Sequence, residues 1–230
     1  MSSTIQTLGF AAARKSAEAF VELSDFAQRA RYDINEAGRF LLEHGALAPG
    51  KSFNAGVRLP GQEKFVLGGF TPRGEELAPA AVIGFDGTYY EGKLKKNHLE
   101  LLEVYASVFR ERPHVNAAIH THSAQIEAYA IAHKPLPIVF DETLLEVTRE
   151  PIPLIPFQPR HSAAAIVESV REHATAPAII IANHGPFFWG KDIPTVARLI
   201  VKLEELAAVA TKAHILGGAR RIEDLDEVQS

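Results

Sequence analysis

Val115-Asn116-Ala117-Ala118-Ile119-His120-Thr121-His122 is the stretch that decides how this chain is read. Its first five residues are mostly apolar and read as a buried strand. Side chains alternate across a strand, so residues two apart point to the same side, and His120 and His122 project together from the strand end. Two neutral imidazoles converging there suit a divalent transition metal. A second apolar run, Ala178-Ile179-Ile180-Ile181-Ala182, ends in Asn183-His184-Gly185 and delivers a third imidazole in the same way. A single strand-end histidine is more often a hydrogen-bonded residue without a metal. Two such sites in one chain shift the reading toward a shared ion.

Composition narrows the chemistry. The chain has 230 residues, 47% of them hydrophobic, enough for one large domain with a substantial core. With 24 basic and 28 acidic residues the formal net charge is -4, so no basic field points to nucleic acid. There is no cysteine, which leaves histidine, carboxylates and water as the only metal donors. The N-terminal residues Met1 to Gln6 lack the charged-then-apolar pattern of a signal peptide, and no run reaches the roughly 18 apolar residues of a membrane span. The expectation is a cytoplasmic protein acting on a small molecule, with neither nucleic acid nor membrane as partner.

Along the chain, residues 1–14 read as a loose lead-in, and helical spacing runs from Ser16 to His44, stopped by Gly45. Strands are expected over 52–59, 64–67 and 80–85, with Asp86-Gly87 as a hairpin turn into 88–90. A helix over Asn97–Arg110 precedes the His120 strand, and another covers Ser123–Ala132. The prolines at 135 and 137 lead into Ile138-Val139-Phe140, and Pro151, Pro153 and Pro156 mark extended or edge structure. A helix over Ser162–Glu172 has Ser162 as its N-cap. After the His184 strand, Phe187-Phe188-Trp189-Gly190 reads as a short turn-like continuation packed beneath the third histidine. A long helix, Ile193–Leu216, stops at Gly217-Gly218, and the polar tail 221–230 reads as flexible. His44, His114, His133, His161, His173 and His214 read as surface, rim or capping residues. This order predicts an α/β fold: one domain over 1–230, three-layer α/β/α, with helices covering a mixed central sheet.

The string Arg112-Pro113-His114-Val115-Asn116-Ala117-Ala118-Ile119-His120-Thr121-His122-Ser123, followed by Pro135-Leu136-Pro137 and by Asn183-His184-Gly185 before a long helix, resembles the class II aldolase/adducin family over roughly residues 30–215. The resemblance implies a largely antiparallel central sheet and a zinc or manganese ion on His120, His122 and His184. It also implies a homotetramer with active sites between subunits. Family enzymes carry an acid/base carboxylate on the helix before His-x-His. Glu100 is the favoured candidate here and Glu103 the alternative. Asp141 stands where related epimerases use an aspartate; it serves as a second acid/base group or as a helix cap.

The chain departs from the family's phosphate cradle of Gly-Asn, Thr-Gly and Ser-Ser pairs. The first position reads Phe53-Asn54, the second Arg73-Gly74, and the third, near Asn97-His98, holds no serine. Asn54 and Gly74 are what remains. Arg73 replaces the lost donors with charge, grips a carboxylate bidentately, or is an exposed turn residue. These losses count against a phosphorylated substrate and toward a carboxylate-bearing or aromatic one. A metal-dependent lyase working on a carbon–carbon bond next to a carbonyl is the leading expectation. A decarboxylase or a retro-aldol epimerase on the same site, and an adducin-like module without chemistry, are the alternatives.

Overall fold

A computed structural model describes residues 23–72, 77–94, 101–139, 146–157 and 163–218. Eight strands among them form one sheet in the order β4-β3-β2-β1-β5-β8-β7-β6. They are β1 (Phe53–Arg58), β2 (Lys64–Phe70), β3 (Ala81–Gly84), β4 (Tyr89–Gly92), β5 (Ala117–His120), β6 (Leu154–Ile155), β7 (Ala178–Ile181) and β8 (Gly185–Gly190). Every pairing is antiparallel except β6 with β7. The expected largely antiparallel sheet is thus observed. The turn at Asp86-Gly87 also forms: Gly87 takes the left-handed φ of 88° that the reversal needs, and Asp86 Oδ1 accepts from the Thr88 amide at 2.9 Å.

Among the described residues five helices cover the sheet: α1 (Asp25–Glu43), α2 (Leu102–Glu111), α3 (Ala124–Ala132), α4 (Ala164–Glu172) and α5 (Ile193–Ile215). The alternation of strand residues sorts them into two layers. Ala117 and Ile119 of β5, Ile180 of β7 and Phe188 of β8 face one side, where Ile34 and Leu41 of α1 and Ile200, Leu203 and Leu206 of α5 pack. Ala118, Ile179, Phe187 and Trp189 face the other, against Tyr105 and Phe109 of α2 and Ile166 and Val170 of α4. β7 reads as four consecutive apolar residues because both of its faces are covered.

Two expectations are corrected. Phe187–Gly190 is no turn-like continuation but the greater part of β8, a six-residue strand between β5 and β7. The apolar side chains on both of its faces hide the two-residue alternation that marks a half-buried strand. Helix α1 does not run unbroken from Ser16: Ser24 is extended (φ -59°, ψ 161°), and its amide donates to Glu91 Oε2 of β4 at 2.8 Å. That contact, remote in sequence, diverts the chain where periodicity alone would continue the helix. Leu136, between the two prolines, forms an isolated antiparallel bridge with Ile152. The lead-in 1–14, the tail 221–230 and the Ser162 cap lie outside the described residues.

Helix α3, which leaves the His-Thr-His segment, begins on a borrowed cap. Ser123 holds the N-cap position but makes no capping bond. Instead, the carboxylate of Glu204 on α5 accepts from the amides of Gln125 (2.8 Å) and Ile126 (3.1 Å). An acidic group at a helix N-terminus satisfies orphan donors and complements the helix dipole. Glu204 is buried, and that burial raises its pKa despite the two amides.

Glu204→Ala leaves two amides without a partner and is expected to cost about 1–3 kcal/mol in urea unfolding. The pH dependence has a defined sign. A raised folded-state pKa means the folded chain binds the proton more tightly than the unfolded one. The resulting stability is fully present below the unfolded value of about 4.5 and is lost as pH rises through the folded value. The stability of wild type relative to Glu204→Gln should therefore increase as pH falls from 8 toward 4.5. A pH-independent difference contradicts this.

Candidate metal centre

His120 is the last residue of β5, in mid-sheet, paired with Asn54 of β1 on one side and Phe187 of β8 on the other. His122 follows where the chain leaves the sheet, and His184 sits in the turn from β7 to β8. The three imidazoles meet: each offers a ring nitrogen, and these nitrogens all lie within 4.8 Å of one another. His120 Nε2 and His184 Nε2 are 3.2 Å apart. Two nitrogens at about 2.05 Å from one tetrahedral ion stand about 3.3 Å apart, so this spacing fits a shared ion.

The opposite nitrogens are tied to the protein. His120 Nδ1 lies 2.9 Å from the Pro186 carbonyl and His122 Nδ1 2.6 Å from Glu127 Oε1. Both acceptors require the proton on Nδ1, which turns the Nε2 lone pair outward for a cation. Burial, with His184 and His122 beside it, depresses the His120 imidazole to about 3. It is thus neutral at any physiological pH, the form in which imidazole ligates. The cluster is built of imidazole donors with one buried and two half-buried members, and the residues fit a divalent metal ion.

The floor is aromatic. Phe187 stacks on His120 (centroids 6.0 Å apart, planes at 21°), and Tyr105 packs on Phe187 at 5.1 Å. The expectation that Phe187 to Trp189 lie beneath the third histidine is corrected in this respect. Phe187 underlies His120, and Phe188 points through the sheet into the opposite core layer. Burial pushes the Tyr105 phenol well above its usual pKa, so it keeps its proton and donates to Asn54 at both the backbone oxygen (2.8 Å) and Oδ1 (2.7 Å).

Glu100, Arg73, Gly74 and Asp141 lie outside the described residues. The alternative carboxylate Glu103 belongs to the first turn of α2. Of the remaining histidines, His44, His133 and His173 are the C-caps of α1, α3 and α4, and His114 and His214 are exposed. Glu127, Tyr105 and Glu204 were not singled out from sequence. Glu127 lies five residues after His122, a spacing that marks contact only once the start of α3 is known.

Gly185 has an ordinary backbone, and the reason for a glycine there is proximity. A Cβ would lie 3.0 Å from the Thr121 carbonyl oxygen, 3.4 Å from His122 Nδ1 and 3.7 Å from Glu127 Oε1.

Known proteins resemble this chain in sequence and in fold. The model of the class II aldolase and adducin N-terminal domain matches residues 27–211. The methylthioribulose-1-phosphate dehydratase of Methylococcus capsulatus is 29% identical over 209 residues, covering 83% of this chain and 97% of that protein. That of Hahella chejuensis is 26% identical, covering 81% and 94%. Among solved structures, YgbL from Klebsiella pneumoniae superposes with a TM-score of 0.67 at 21% identity, covering 88% of this chain and 97% of that one. The L-fuculose 1-phosphate aldolase of Glaciozyma antarctica gives 0.67 at 20%, covering 95% and 85%. These structures share the fold.

Gly185→Ala is expected to leave the chain folded but to crowd the Thr121 carbonyl beside His122 and shift that ligand, weakening zinc binding by about 10–100-fold, the usual cost of disturbing a ligand's support. Equilibrium dialysis of wild type and variant measures it; equal affinities contradict the close-approach account.

Proposed function

This chain belongs to the class II aldolase and adducin family, and we propose that it is a divalent-metal-dependent lyase that breaks or forms a carbon–carbon bond next to a carbonyl. The observation that carries the reading is the convergence of His120, His122 and His184, with protein acceptors behind the first two. An adducin-like module has no need of a polar cluster of that geometry. The ion is zinc or manganese; a nitrogen-only donor set favours zinc. When bound, it supplies Lewis acidity to the carbonyl oxygen beside the reacting bond.

The chain's own groups divide the remaining work in this reading. The three histidines fix the ion while leaving one side of the cluster toward solvent for a substrate. Glu100 takes the hydroxyl proton as the carbon–carbon bond opens, and Asp141 returns a proton to the carbon that keeps the electron pair. Asn54 donates its amide to a substrate oxygen, and Arg73 with Gly74 binds a carboxylate, the chemistry that the altered phosphate cradle suggests. The substrate is thus a small hydroxy-carbonyl compound without a phosphate.

A second reading, loss of water next to the carbonyl, is favoured by one observation: the two dehydratases align over 94% and 97% of their lengths. Both reactions leave an electron pair on the carbon next to a polarised carbonyl: carbon–carbon cleavage takes the hydroxyl proton and releases an aldehyde, whereas dehydration takes a proton from carbon and releases water.

The test is a panel of β-hydroxy-carbonyl compounds, each with and without a phosphate, offered to the zinc-loaded and manganese-loaded protein. Aldehyde release, water loss and carbon dioxide are scored separately. Chelator-sensitive aldehyde release from a phosphate-free compound is expected. Water loss alone would transfer the assignment to the dehydration reading, and turnover indifferent to chelator would overturn both. Glu100→Gln should keep its metal while losing about 10²–10⁴ in rate, the usual contribution of a general acid/base.

A further inference from the structure

Two non-glycine residues among those described adopt a left-handed backbone, His133 (φ 52°) and Asn183 (φ 54°). They bond to each other: the His133 Nε2–H donates to Asn183 Oδ1 at 2.5 Å. His133 is the C-cap of α3. A helix end in this conformation is ordinarily glycine, because a Cβ is crowded there and glycine's absence of one removes the cost. Asn183 immediately precedes His184, and its amide is also bound, to the Ala130 carbonyl of α3 at 3.1 Å. Side-chain and backbone bonds thus tie the turn that carries His184 to the end of α3.

The same helix holds the cluster from its other end. Glu127, on the first turn, accepts from His122. Pro186, two residues beyond His184, supplies the carbonyl that orients His120. A strained residue that a glycine would relieve, and whose side chain reaches the residue next to a candidate ligand, is the pattern of strain kept for function.

We propose that His133 is a positioning residue of the metal centre, acting through Asn183 to fix the turn Ala182-Asn183-His184-Gly185 and so the aim of His184. The inference rests on the metal-centre reading above. Its physical content is preorganisation: with the turn held in advance, ion binding need not order it, and affinity gains by that amount. His133 touches no reacting atom in this account.

The substitution His133→Gly separates positioning from ordinary capping, because the two make opposite forecasts. Glycine relieves the left-handed backbone, so the melting temperature of the metal-free chain should hold or rise. Loss of the bond to Asn183 should nevertheless weaken cobalt(II) binding by about 10–100-fold and alter the visible spectrum of the bound cobalt. Asn183→Gly should do the same. The double variant should be no weaker than the weaker single one, since both remove one interaction. Unchanged cobalt affinity in His133→Gly, or a loss of affinity matched by a loss of melting temperature, would overturn the positioning role. Failure of the wild-type chain to bind cobalt would overturn the metal-centre reading itself. Normal wild-type binding with an indifferent His133→Gly would remove only this inference.

Discussion

Everything at the site depends on keeping three imidazoles close together, neutral, and turned the right way before any ion arrives. Left alone, His120 and His184, with ring nitrogens 3.2 Å apart, would repel on protonation or turn away toward other partners. The fold prevents both. Burial holds His120 uncharged, and carbonyl or carboxylate acceptors at Pro186 and Glu127 fix which nitrogen of His120 and of His122 carries the proton. Burial of a polar cluster is costly unless each group has a partner. Here the second nitrogens of two rings have protein partners, and the facing nitrogens are arranged for a cation.

The sheet provides the rigidity. His120 emerges between β1 and β8 with neighbours on both sides, so its backbone has little freedom. His184 comes from the adjacent turn between β7 and β8, and His122 from the start of the connection to α3. Glu204 reaches from α5 to cap α3, and so couples the longest helix to the helix that carries Glu127.

The antiparallel character of the sheet came only with the family resemblance, whereas the histidine trio, the hairpin at Asp86-Gly87 and the five described helical segments were legible in the residues. Each rests on a local signal: a two-residue spacing at a strand end, a turn dipeptide, a helical stripe. β8 was not legible, because Phe187 and Phe188 are buried on opposite faces and erase the alternation. Nor was the break at Ser24, which depends on a carboxylate 67 residues away. The supporting residues Glu127, Tyr105, His133 and Glu204 stayed hidden for a related reason. Each gains its role from a partner that only the folded arrangement brings near, so nothing in its own neighbourhood of sequence distinguishes it.

The central claim is that His120, His122 and His184 share one divalent ion. X-ray absorption at the zinc edge of the zinc-loaded chain addresses it directly. The account predicts one zinc per chain, with three imidazole nitrogens at about 2.0–2.1 Å and the characteristic outer-ring scattering of histidine. A first shell made only of oxygens, or one with a single imidazole, would contradict it.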